Sequence, residues 1–275
     1  MFYNPLTPYV DWNNICKTQQ LPDQIIIDYH PHMDWSILCK YQKLSEHIIR
    51  TFKHKINWYQ LSIYQSAHLP REFFHEFVNQ FHWTNLSKHD QMSESFIKEF
   101  SGYVDWEQIS RHQILSEKFI HEFQEIVHWP IICRYQTLSE SFIREFKDQV
   151  DWYSISAYQK LSEEFIWEFK DRVQWHAICQ HQSLSDKFIT EHFTHLNLYS
   201  LFKYRKVDAS IIGQFAEFVP WDIICRHQQL SEDFIVEFAH LVDWKLAFKY
   251  QTIPKECKRI CQLPRPEGRS LKGLG

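Results

Sequence analysis

The chain has 275 residues, a net charge of −4, 17% aromatic residues and only five glycines. This balance supplies no global basic field for nucleic acid or an anionic membrane, and it leaves little glycine for phosphate-binding loops or tight hairpins. The seven cysteines form no regular disulfide framework, which fits a reducing compartment, and no run approaches the length of about 18 apolar residues that a spanning helix needs.

The first residues, MFYNPLTPYVDWNN, lack the basic and apolar regions of a signal peptide, so residues 1–10 are expected to form a cap segment. From Trp12 onward the chain repeats. Ten of the eleven tryptophans (Trp12, Trp35, Trp58, Trp83, Trp106, Trp129, Trp152, Trp175, Trp221 and Trp244) share one frame with a period of 23 residues. The step from Trp58 to Trp83 is 25, which places a two-residue insertion around Ala67 and His68. The step from Trp175 to Trp221 is 46, because Leu198 takes a tryptophan's place. A period of this size predicts an array in which each unit buries its apolar face against its neighbours.

With tryptophan as position 0, apolar or small residues at 0, 3 and 4 and glutamine at 7 share one face of a short first helix. Asp11, Asp34, Asn57, Asp105, Asp151, Asn197 and Asp243 precede it as N-caps. A second helix follows, opened by Ser45, Ser93, Ser116, Ser139, Ser162, Ser185, Asp208 or Ser231, or by Pro22, Pro70 or Pro254. Positions 13, 14, 17 and 21 read Phe, Ile, Phe, Val, and are expected to form one face of that helix. The predicted fold is therefore an all-α, elongated solenoid of about eleven helix–turn–helix repeats over residues 11–261, the last truncated, with a disordered tail at 262–275.

The DW…YQ.LSE.FI.EF pattern, seen as VDWYSISAYQKLSEEFIWEF at 150–169, resembles the short tandem repeats of uncharacterised proteins encoded by giant DNA viruses of amoebae. The resemblance covers nearly the whole chain. It implies a helical repeat protein of no established activity, working in the host cytoplasm or in the virus particle. The units around Ala67 and around Leu198, Arg205 and Gly213 depart most from the pattern.

Recurring polar residues are weighed against packing. Cys16, Cys39, Cys133, Cys179 and Cys225 share position 4 with Ser62, Ser87, Ser110 and Ser156, so the position asks for a small side chain rather than a thiolate. Cys257 and Cys261 lie four apart, a metal half-site without a second half. The position-6 histidines His89, His112, His181 and His227 alternate with tyrosines, which suits a flat ring on the flank of a packed helix. Glutamines at position 7 suit an inter-repeat hydrogen-bond ladder, and glutamates at position 16 suit inter-repeat salt bridges.

No nucleophile–base pair, phosphate loop or metal set is legible, so neither an enzyme nor a cofactor is expected. The remaining signal is position 5, with Lys17, Lys40, Lys88, Arg111, Arg134, Lys203, Arg226 and Lys249, interrupted by Ile63, Ala157 and Gln180. It predicts an exposed basic row, which either serves helix ends or binds an acidic protein partner, or less readily a nucleic acid, since no stacking aromatics interleave it. Trp167, at position 15, breaks the frame on the outward face of a second helix, where it either serves as an exposed contact anchor or packs onto a neighbouring Lys or Arg stem. These residues predict a non-enzymatic scaffold for protein–protein interaction, cytoplasmic and away from membranes. The alternatives are a nucleic-acid-associated protein and a self-assembling structural one.

Overall fold

A computed structural model of the protein describes residues 10–89 and 91–253. Pro254, Cys257, Cys261, the expected tail and most of the expected cap segment lie outside the described residues. The described residues form 21 short α-helices and no strand. The chain is an α-solenoid of helix–turn–helix repeats in the predicted frame.

Each repeat begins with a seven-residue helix whose first residue is the tryptophan or Leu198, as in Trp106–His112. Side chains of the expected Asp and Asn residues accept backbone N–H bonds at its start; Asp105 takes those of Glu107 and Gln108 at 3.1 Å each. Position 7 is always the C-cap where described, its N–H returning to the position-3 carbonyl, as Gln113 does to Ile109. Positions 3, 4 and 7 face inward: Ile109, Ser110 and Gln113 are all buried.

The second helix is shorter than the sequence pattern suggests. It runs only from position 11 to 16, as in Glu117–Glu122, behind a serine whose hydroxyl caps the Phe119 N–H at 3.2 Å. Phe at 17 and Val at 21 therefore lie beyond the helix, not on its face. Phe123 is the C-cap, with φ −110° and ψ 24°, and a separate turn follows in which the Val127 N–H bonds to the Phe123 carbonyl at 3.1 Å. The next tryptophan fastens this turn. Its indole N–H donates to the position-18 carbonyl of the preceding repeat: Trp106 to Ser101 at 3.0 Å, Trp83 to Val78 at 2.8 Å, Trp175 to Lys170 at 3.0 Å. The indole occupies an acceptor that a continuing helix would use for its own N–H.

Two joints lack the indole bond, and before Leu198 the second helix, Asp186–Glu191, still ends at position 16. Leu198 has no indole, and the Phe193 carbonyl instead accepts the Leu196 N–H in a 3₁₀ turn, Phe193–His195. Trp35 leaves its Nε1 without a partner, and there the chain closes with the 3₁₀ turn His30–His32. The two-residue insertion forms a third, Ser66–His68.

Helices of six or seven residues do not persist alone in water. They hold here because each first helix packs on the next. The chain divides into two compact units, Met1–Thr137 and Leu138–Gly275. Within the first, the first helices from Trp12–Thr18 to Trp129–Tyr135 pack in succession; within the second, those from Trp152–Tyr158 to Trp244–Tyr250 do the same. Leu38, Ile49, Leu86 and Ile120 in the first unit and Phe165 and Phe202 in the second are fully buried. Each such side chain contributes about 1.5–3 kcal/mol by burial. The tryptophans are only half-buried, lying against position-17 rings, as Trp106 on Phe123 at 5.0 Å and Trp152 on Phe169 at 4.9 Å.

Candidate interaction surface

Most recurring polar residues are occupied in joining repeats. The glutamine ladder is complete wherever Gln136 or Gln182 can be followed atom by atom. Gln182 Oε1 accepts the Leu161 N–H at 3.2 Å, while its Nε2 donates to the Ser156 and Gln159 carbonyls at 2.8 Å each. Gln136 makes the same three bonds to Leu115, Ser110 and Gln113. A single amide thus ties the end of one first helix to the turn of its predecessor. In the ninth repeat Arg205 stands in this place, and burial pushes its guanidinium below the ordinary arginine value.

The Ser/Cys position is also explained. Ser62, Ser87, Ser110 and Ser156 are fully buried, and each hydroxyl accepts a backbone N–H from the residue before the next repeat's first helix, such as Gln174 on Ser156 at 2.9 Å. Cysteine fits the same small space. Burial pushes the Cys39 and Cys179 thiols up to about 11, far from thiolate reactivity. The position-16 glutamates form ion pairs with position 15 of the previous repeat: Arg50–Glu76 at 2.9 Å, Arg144–Glu168 at 2.8 Å, and Lys98 with Glu122. These pairs are exposed, so each contributes little to stability.

What remains is the outward side of the first helices. All eight position-5 cations are exposed or half-exposed: Lys17, Lys40, Lys88, Arg111 and Arg134 in the first unit, Lys203, Arg226 and Lys249 in the second. The position-6 rings stand beside them. Tyr41, Tyr64, Tyr135, Tyr158, Tyr204 and Tyr250 are 45–49% exposed, so the expectation that these rings sit on a packed flank is corrected. The helix buries the stripe at 3, 4 and 7, which turns both 5 and 6 outward. The row is therefore interleaved with aromatics after all.

Cation and ring are in contact. The Lys40 Nζ lies 5.2 Å from the Tyr41 ring and 5.3 Å from Tyr64 of the next repeat. Both phenols, Tyr41 first, hold its ammonium above the ordinary lysine value. Arg111 and Arg134 each lie 5.3 Å from the ring of Tyr135, and Lys203 lies 4.9 Å from Tyr204 and 5.3 Å from Tyr199. His112 is held below the ordinary histidine value, first by burial and then by Lys88, Arg111 and His89. The sequence carried a signal for this surface: a ring directly follows a cation in seven repeats, as in Lys40–Tyr41 and Arg226–His227.

Trp167 follows the packed alternative rather than the exposed one. It is half-buried, stacked on His192 of the next repeat at 3.6 Å, edge-on to His195 at 5.1 Å, with the Lys170 Nζ 4.6 Å from its ring. Two histidines and a lysine stem cover an indole that the sequence placed on an outward face. Where position 15 is Trp167, Glu191 meets Lys187 of its own helix at 3.8 Å, instead of a cation on the previous repeat.

Among the described residues, no helix is long and apolar enough to cross a membrane. No family model matches the chain, and no curated protein or solved structure is found similar to it.

Proposed function

We propose that this protein is a non-enzymatic scaffold that holds an acidic protein partner on the cation–ring surface of its first helices. One observation carries the reading. Gln, Ser, Cys and Glu recur because they join repeats, whereas the position-5 cations and position-6 rings recur while facing solvent. Arg and Tyr are the side chains that interfaces favour, and ring contacts limit the rotamer freedom a cation loses on binding. The resemblance to tandem repeats of amoebal giant-virus proteins extends the proposal to the host cytoplasm or the particle.

A second reading, a nucleic-acid-associated protein, gains from the interleaved rings, because stacking platforms beside cations suit single strands. Affinity purification from the native cell, with and without nuclease, separates the two. The wild type is expected to retain a nuclease-resistant partner that a variant with Lys88, Arg111, Arg134, Lys203, Arg226 and Lys249 all replaced by Gln loses. Retention of the same partner by the variant would place the contact elsewhere, and loss on nuclease treatment would favour the second reading.

A further inference from the structure

The cations are not evenly distributed. Lys88, Arg111 and Arg134 fall on three consecutive repeats of the first unit, and Lys203, Arg226 and Lys249 on three consecutive repeats of the second. In the first unit their helices, Trp83–His89, Trp106–His112 and Trp129–Tyr135, pack in succession. Packed helix axes lie about 8–10 Å apart, so the row offers one positive charge at about that interval.

The spacing selects among acidic ligands. A polyproline II chain has three residues per turn and rises about 3.1 Å per residue, so its every third side chain returns to the same side after about 9.3 Å. A β-strand returns after two residues, at about 6.6–6.8 Å, and falls out of step with the row by the third charge. A nucleic-acid strand carries a phosphate on every nucleotide, and neighbouring phosphates lie closer together than the cations of the row. Only the first matches charge to charge.

The side chains beside the row suit the same ligand. Tyr135 lies between Arg111 and Arg134, each 5.3 Å from its ring, and the Arg111 Nη1 reaches the Tyr135 hydroxyl at 3.5 Å. Exposed His89 and His112 rings continue this wall, and proline-rich chains dock on aromatic-lined surfaces. Glu107 neutralises part of the Arg111 charge, at 3.3 Å. Burial first, and then Lys88, Arg111 and His89, disfavour protonation of His112 beside the row.

We propose that each cation triad is a docking track for an extended, polyproline-II acidic segment of a partner protein, with a carboxylate at every third residue and prolines between. This rests on the scaffold reading above and names the partner's chemistry. The test uses the full chain and three probes: a peptide of five Glu-Pro-Pro units, a peptide of five Glu-Pro units with the same charge, and a 15-nucleotide oligothymidine. Titration calorimetry is expected to give two Glu-Pro-Pro sites per chain, at least about tenfold tighter than Glu-Pro, weakening as salt rises. The Lys88→Gln/Arg111→Gln/Arg134→Gln variant should keep one site, and adding Lys203→Gln/Arg226→Gln/Lys249→Gln should remove the other while helicity is unchanged. In the wild type, bound peptide should raise the His112 pKa seen by NMR. Equal affinity for the two peptides, or tighter oligothymidine binding, overturns the register. If the cellular partner is still lost from the sixfold variant, the scaffold reading survives that failure. If the sixfold variant retains it, both fall.

Discussion

Replacing Gln182 by Ala tests the ladder at one rung. The side chain is 5% exposed and makes three hydrogen bonds, at 3.2 Å to the Leu161 N–H and 2.8 Å to the Ser156 and Gln159 carbonyls. A typical hydrogen bond contributes about 0.5–1.5 kcal/mol net, and a buried donor left unsatisfied costs about 1–3 kcal/mol. The loss is therefore expected at about 2–4 kcal/mol, confined to the joint between the seventh and eighth repeats. Repeat arrays lose all-or-none unfolding, so a single global stability is the wrong measure. Native-state amide exchange resolves the joint directly. The Leu161 amide should lose most of its protection, while the Val207 amide, bonded to Gln228 Oε1 at 3.0 Å, should change far less. Unchanged Leu161 exchange would refute the claim that this amide joins the repeats; equal loss at Leu161 and Val207 would refute its locality.

The opposite change, Arg205→Gln, should stabilise the neighbouring joint by about 1–3 kcal/mol in the same assay, because it puts an amide where a guanidinium is half-buried at a cost. Trp106→Phe keeps a ring against Phe123 but removes the indole bond to Ser101, and native-state amide exchange at that joint should register a loss of about 1 kcal/mol, well short of Trp106→Ala. Cys39 and Cys179, raised to about 11 by burial, should resist iodoacetamide in the folded protein at neutral pH and react once it is unfolded, as intact mass would show. His30 is held below its ordinary 6.5 by burial and then by Lys55 and His54, so the folded chain favours its neutral form. Its contribution is full above about pH 6.5 and is lost as pH falls through that value toward the folded pKa; urea unfolding of His30→Gln should show a shallower acid slope.

The period, the caps and the all-helical class are written in the sequence because each depends on residues within one repeat. Asp105, Ser116 and Trp106 announce helix starts through local hydrogen bonding and spacing, and a 23-residue recurrence multiplies the signal. The ladder role of Gln113 and Gln136 was also legible, since an amide recurring at a helix end has few other uses. Tertiary structure decided three things that pattern alone could not. The turn after the second helix is fastened by the next repeat's indole, as Trp129 donates to the Gln124 carbonyl at 3.0 Å. Trp167 leaves solvent because His192 and His195, 25 and 28 residues on, stack against it. Tyr41 and Tyr64 flank Lys40 only because two repeats pack side by side. Periodicity fixes which residues share a face of their own helix; what meets that face is set by the neighbouring repeat, through contacts between residues far apart in the chain.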